Sequence, residues 1–295
     1  MQIRKKRRNY LQEPEQMEKK DMNWKYYNHA MIPNIPPHIN PDITPIEDRS
    51  IWRTRTPSVA LFARWTTEFD CKTETEWWYC IKDTQFDISK VNSKKRYEIN
   101  KGNKNFDVRL IRPTEYVEEL YQITKAAYLS WPEKYRPSLN EEDFKRSIGK
   151  WNDKKVFGAF LKESNDLVGY AYIIEFETYA DFSMLRVIPS YEKKAINAAI
   201  VNKILEYYND RLGDDFYILD GARNVNHETF FQNYLEKYFE FRKAYCKLHI
   251  VYNPKVKWLV KVVYPFRRVL KKFDNINLVH QVNAVLKMEE IVRNS

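Results

Sequence analysis

Apolar positions recur more regularly between residues 156 and 208 than elsewhere in the chain, first with strand spacing and then with helix spacing. Residues 156–162 and 167–177 predict two strands joined by the turn-forming Glu163-Ser164-Asn165-Asp166. A third strand is predicted over 182–188. The loop Pro189-Ser190-Tyr191-Glu192-Lys193-Lys194 then opens a helix running to about Tyr208. A helix N-terminus placed just after a strand leaves free N–H groups and a positive dipole end. Both suit a phosphate or pyrophosphate.

The flanking pattern extends this order. Residues 106–111 predict a strand. Pro113 and Thr114 start a helix whose apolar face carries Tyr116, Val117, Leu120 and Ala127. A second helix is predicted over 140–150 with Asn140 as its N-cap. Residues 216–219 predict a strand, 229–238 a helix and 241–251 a final strand. Upstream, 58–64 and 76–82 predict two short strands, the second rich in strand formers (Trp77, Trp78, Tyr79, Ile81). Residues 93–101 predict a short basic helix and 103–105 a turn. Six prolines between residues 31 and 57 predict a long irregular connection. Residues 1–22 predict a polar tail. At the other end, 254–272 predict a helix kinked or restarted at Pro265, and 276–292 an ordinary amphipathic helix. No internal repeat is visible. The economical reading is an α+β fold, a mostly antiparallel sheet flanked by helices.

Composition narrows the function classes. Only 6 glycines occur in 295 residues, and neither a P-loop nor a dinucleotide fingerprint is present. Cys71, Cys80 and Cys246 are widely spaced, which argues against a zinc site or disulfide framework and for reduced, cytoplasmic thiols; no metal is expected. No apolar run suggests a secretory signal or a membrane span. The net charge of +10 is unevenly placed: residues 4–8 carry +5 and 254–273 carry +7, leaving the remainder at −2. Two local basic segments fit an anionic surface, such as the inner face of a membrane, at least as well as a nucleic-acid groove.

Val187-Ile188-Pro189-Ser190-Tyr191, with the strands before it and the helix after it, resembles the cofactor half of the GNAT acyltransferase superfamily. That family follows this stretch with a glycine-bearing loop; here Glu192, Ala195 and Asn197 stand at the loop positions. The resemblance covers roughly residues 105–250. It implies a GNAT-like domain with acetyl-CoA or another acyl-CoA as donor, held by Val187, Ser190, Lys193, Lys194 and Asn197. The segment 226–242 resembles the family's closing helix and strand, which implies Asn226 and Tyr234 near the thioester. Residues 93–101 are similar to the basic segment preceding the second half of Fem-type aminoacyltransferases. That likeness makes 23–104 a degenerate first half, while charge and patterning make 1–22 a basic tail and 251–295 a helical extension.

Transfer of this kind needs a base for the acceptor amine, N–H donors for the oxyanion and an acid for the leaving thiolate. Glu175 and Glu177 share one face of a predicted strand by period two, and either can be a base or a solvated acid. The segment 220–227 is the densest polar cluster. There Asp220 and Arg223 are candidates for substrate binding and His227 for acid–base work, against a plain loop and helix cap. Lys193 and Lys194 contact phosphate or are solvated. On a helical wheel of 254–272, Val256, Leu259, Val260, Val263, Phe266 and Leu270 fall opposite Lys257, Lys261, Arg268 and Lys272. This is either a docked terminal helix or a peripheral membrane element.

Three functions fit. The first is acyl transfer from acyl-CoA to an amine, such as an amino sugar of a cell-surface polysaccharide precursor, free or lipid-linked. The second is Fem-like transfer from aminoacyl-tRNA. The third is a non-catalytic binding or scaffolding module at a membrane surface.

Overall fold

The computed structural model describes residues 23–54, 56–133, 136–225 and 230–294. The basic segment 4–8 and the rest of the tail to residue 22 lie outside the described residues, as do Asn226 and His227. Strands β1 (Trp24–Tyr27), β2 (Ala30–Pro33), β3 (Phe62–Thr67) and β4 (Trp78–Lys82) occupy the N-terminal part, with a one-turn helix α1 (Thr44–Glu47). Helix α2 (Ser93–Asn105) leads into β5 (Phe106–Ile111), then α3 (Val117–Leu129) and α4 (Glu141–Ile148). Strands β6 (Lys154–Leu161), β7 (Leu167–Glu175) and β8 (Tyr179–Val187) precede α5 (Ile196–Tyr208) and β9 (Tyr217–Ala222). The chain closes with α6 (Phe230–Phe239), β10 (Arg242–Tyr245), β11 (Lys247–Tyr252), α7 (Pro254–Val263), α8 (Arg267–Leu270) and α9 (Asn277–Asn294). The fold is α+β, and most strand pairs are antiparallel.

The elements sort into two compact units that interleave along the chain. The first contains Lys82–Asp220 and Tyr234–Phe241. Its strands follow the order β9-β8-β7-β6-β5, antiparallel except for the parallel β8–β9 pair. Side chains alternate across β7, which places helices on both faces. On one face the Tyr170 hydroxyl meets Thr124 of α3 at 2.7 Å; on the other Glu175 meets Tyr208 of α5 at 3.1 Å. Leu120, Ile123, Phe144, Trp151, Val156 and Phe160 form the core under α3 and α4. The Asn140 side chain accepts the N–H of Asp143 and caps α4 as expected.

Two expectations change here. The turn expected at 103–105 is the last turn of α2, where Asn105 donates to the carbonyls of Lys101 (2.8 Å) and Lys194 (3.2 Å). Its glycine serves packing rather than turning: a Cβ on Gly102 would lie 2.5 Å from the Ala195 carbonyl oxygen. Strand β8 also begins three residues earlier than expected, at Tyr179.

The second unit contains the described parts of Lys20–Ile81, Gly221–Asn233 and Arg242–Ser295. Its four-stranded sheet runs β1-β2-β3-β11, and β4 pairs with β10. The single strand expected over 241–251 is two strands with different partners. Arg242–Tyr245 pairs with β4 and Lys247–Tyr252 with β3, and the change falls at Cys246, whose N–H donates to the Trp77 carbonyl at 3.0 Å. Helix α9 supplies Met288 and Ile291 to a core with Phe62, Trp77 and Leu248. Pro265 interrupts the basic helix as expected, in a 3-10 turn between α7 and α8.

Candidate active site

The site-forming feature of the first unit is the way β8 leaves its neighbours. Strands β8 and β9 are parallel and pair only at Tyr179↔Tyr217, Ala180↔Ile218 and Asp181↔Leu219. Beyond Asp181 they part, and the rest of β8 has no partner on that side among the described residues. On the other side the register against β7 slips at the same place. Tyr172 faces Met184, but Ile174 faces Asp181, so β8 holds one extra residue at Phe182–Ser183. A β-bulge takes one backbone unit out of the ladder and re-aims its amide. Asp181, half-buried, sits where both changes begin.

After Val187 the chain makes a 3-10 turn over Pro189–Lys194 and enters α5. Ala195 adopts the left-handed conformation (φ 63°) that glycine takes most easily. The start of α5 is held by tight contacts: a Cβ on Gly169 would lie 2.8 Å from Ile196 and 2.9 Å from Val187. Val187 is buried, and Ser190 and Lys193 are exposed. Lys194 is half-exposed and lies 3.7 Å from the Glu163 carboxylate. Asn197, in the first turn of α5, buries its amide oxygen with no hydrogen-bond partner among the described residues. Val187, Ser190, Lys193, Lys194 and Asn197 thus cluster around one helix start.

Glu175 is distant from that helix start but next to Asp181 in the ladder, since its neighbour Ile174 pairs with Asp181. Glu175 itself pairs with Ala180, seven residues before Val187 on β8, or about 23 Å along the strand at ~3.3 Å per residue. Its carboxylate receives Arg211 at 2.6 Å and Tyr208 at 3.1 Å, with Lys155 at 3.6 Å. Burial alone would raise its pKa. The hydrogen bonds from Arg211 and Tyr208 and the charges of Lys155 and Arg211 outweigh burial and hold it below the ordinary value. Burial and the adjoining carboxylate push the Tyr208 hydroxyl up. Glu175, Arg211 and Lys155 line an open recess of about 580 Å³ with Glu177, Phe176 and Asp153.

The remaining predicted residues are dispersed. Tyr234 stands on α6 against Tyr238 and Phe239, its hydroxyl pKa raised by burial and by the charge of Glu98. Asp220 ends the first unit's share of β9, half-buried. Arg223 belongs to the second unit, where its guanidinium bonds the Glu76 carbonyl and lies 3.7 Å from the Glu76 carboxylate. Among the described residues no group of three or more His, Cys, Asp or Glu side chains is placed to hold a metal ion. Sequence reasoning passed over Asp181 because the strand was expected to begin one residue after it. The available signal was an acid flanked by apolar residues in Tyr179-Ala180-Asp181-Phe182.

No family model matches the chain, and no curated protein matches it. Solved structures similar to it include L-PGS from Bacillus licheniformis, at 13% identity over 80% of this chain and 83% of that one, with a TM-score of 0.46. An acetyltransferase from Trypanosoma brucei matches at 11% identity over 45% of this chain and 90% of that one (TM-score 0.32). The PaiA N-acetyltransferase of Thermoplasma acidophilum, solved with coenzyme A, matches at 19% identity over 35% and 72% (TM-score 0.28). Acetyltransferases, the class that the 156–208 stretch resembles, are thus among the structures similar to this chain. None of these likenesses fixes a substrate for it.

Proposed function

We propose that the chain is an N-acyltransferase that moves an acyl group from acyl-CoA to a primary amine. The observation that carries this reading is the coincidence at Asp181–Ser183 of a parting parallel strand pair and a β-bulge, upstream of the turn into α5. An unpaired strand edge can hold an extended amide-bearing chain by main-chain hydrogen bonds. The pantetheine arm of coenzyme A is such a chain, and bound acyl-CoA supplies an electrophilic thioester carbon. The N–H groups at the start of α5, Lys193 and the orphaned amide oxygen of Asn197 are the groups that would hold its phosphates and hydroxyls. The fit rests on that unpaired edge and that orphaned acceptor.

The chain's own groups then have definable tasks. As the acceptor nitrogen bonds to the acyl carbon, its proton passes to the Asp181 carboxylate. An amide freed by the bulge donates to the developing oxyanion. As the C–S bond breaks, the thiolate takes up, through solvent, the proton that Asp181 accepted and leaves as thiol, which restores the carboxylate. Glu175 keeps its charge in the Arg211 and Tyr208 clamp and anchors β7 to α5. An amino sugar of a surface-polysaccharide precursor is the acceptor we favour.

Calorimetry with acetyl-CoA and desulfo-CoA tests the donor. Saturable binding that weakens in Lys193→Ala and Asn197→Ala supports the reading. Absence of binding to any acyl-CoA overturns it. A second reading, aminoacyl transfer from tRNA, is favoured by the exposed basic residues Lys94, Arg96 and Lys104 of α2, the helix packed on the start of α5. Salt-dependent tRNA binding together with silence towards acyl-CoA would select it.

A further inference from the structure

The basic helical segment 254–273 carries two apolar stripes rather than one. Val260 is buried, and Val256, Val263 and Leu270 are half-buried, so this stripe is turned inward. Trp258, Val262, Phe266, Val269 and Phe273 form a second stripe, each between 44% and 70% exposed. Trp258 and Val262 lie one turn apart on α7, Phe266 follows in the 3-10 turn, and Val269 and Phe273 lie on and just after α8. Leu259 widens the stripe. Eight of the nineteen exposed large hydrophobic residues among the described residues fall between Trp258 and Leu278. An apolar surface of this kind on one element marks an interaction site.

The charge beside it selects the partner. Lys257, Lys261, Arg268 and Lys272 each immediately precede a member of that stripe (Trp258, Val262, Val269 and Phe273), and all four are exposed. Residues 254–273 contain no acid, and these four cations have no carboxylate partner among the described residues. A second copy docked by two-fold symmetry would set one such row against another or bury it unpaired. A bilayer with anionic headgroups accepts both features at once, with rings among the acyl chains and ammonium groups at the phosphates. No helix among the described residues is long and apolar enough to cross a membrane, so the segment would lie on the bilayer.

We propose that the Trp258–Phe273 face docks the protein on an anionic lipid surface. The proposal does not depend on the acyl-transfer reading, and its test involves no catalysis.

The full chain is sedimented with phosphatidylcholine vesicles, with and without phosphatidylglycerol. Binding is expected only with the anionic lipid and should weaken as salt rises. Lys257→Gln with Lys261→Gln should lower the partition coefficient about five-fold per charge removed. Trp258→Ser with Phe266→Ser should abolish binding while leaving Tm unchanged, because both rings are exposed. Equal binding to both vesicle types, or binding indifferent to both pairs of substitutions, overturns the proposal. Failure to bind vesicles, with a dimer in light scattering that the Trp258→Ser/Phe266→Ser chain does not form, also overturns it and assigns the face to a second copy.

Discussion

At the scale of single residues, two carboxylates on neighbouring strands have different places in the sheet and different expected roles. Asp181 stands where β8 parts from β9, next to the bulge. Asp181→Asn removes the proton acceptor but keeps the shape. The expected result is a fall in kcat/KM of roughly 10²–10⁴-fold, with acyl-CoA affinity unchanged by calorimetry. Glu175 is fixed by Arg211, Tyr208 and Lys155, and Glu175→Gln is expected to destabilise by roughly 1.5–3 kcal/mol, the range for hydrogen bonds to charged groups. The folded-state pKa of Glu175 is depressed below 4.5. Its contribution is therefore fully present above the unfolded value and is lost as pH falls through the folded one. Urea melts of wild type and Glu175→Gln should differ most at neutral pH and converge in acid. A difference that grew towards acid would mean that the ion cluster does not stabilise the fold.

At the scale of elements, the packing of α2 on the start of α5 depends on a missing side chain. A methyl on Gly102 would meet the Ala195 carbonyl oxygen at 2.5 Å and the Ala199 nitrogen at 2.8 Å, both backbone atoms that cannot swing away. Gly102→Ala should cost roughly 1–3 kcal/mol despite the better helix propensity of alanine. Gly213 is the control. Nothing lies within 4 Å of its would-be Cβ and its φ is not positive, so Gly213→Ala should be neutral or slightly stabilising in the same urea titration. Gly102 also shows what sequence reading can and cannot see. Gly-Asn-Lys-Asn has the composition of a turn, and only the neighbouring helix reveals why a helix keeps a glycine. Local signals were read correctly where the physics is local: the Asn140 cap, the Pro265 interruption, and the strands and turn between residues 156 and 175. The bulge in β8 and the change of partner at Cys246 were not legible, because both are relations between strands. The candidate site follows the same division. The residues around the start of α5 are close in sequence and so are brought together by local structure, whereas Asp181 gains its position only from where β9 ends its pairing.

At the scale of the whole molecule, the two units are assembled from distant parts of the chain, and the last helix is a core component of one of them. Strand β11 pairs with β3 across some 180 residues of sequence (Leu248↔Thr66), and α9 then covers the same core with Met288 and Ile291. Tyr252 donates to Glu289 at 2.8 Å, and Lys287 reaches Glu76 at 3.0 Å. An amphipathic pattern at the end of a chain reads equally well as a detachable extension, and only these contacts distinguish the two. A chain ending at Asn275 would expose Phe62, Trp77 and Leu248 and lose two whole turns of buried side chains. Each large buried side chain is worth ~1.5–3 kcal/mol, against a total stability of about 5–15 kcal/mol for an ordinary domain. The truncated chain should therefore be recovered mainly as insoluble protein. Any soluble fraction should lose near-ultraviolet ellipticity from Trp77 and its neighbours while keeping the far-ultraviolet signal of the first unit's helices. If it instead remained soluble with an unchanged near-ultraviolet spectrum, α9 would be an appendage and the second core would close without it. Separate losses of the two signals would also show that the units fold as distinct cooperative bodies, so that substitutions in the Trp258–Phe273 face can be tested for lipid binding without disturbing the parted strands β8 and β9.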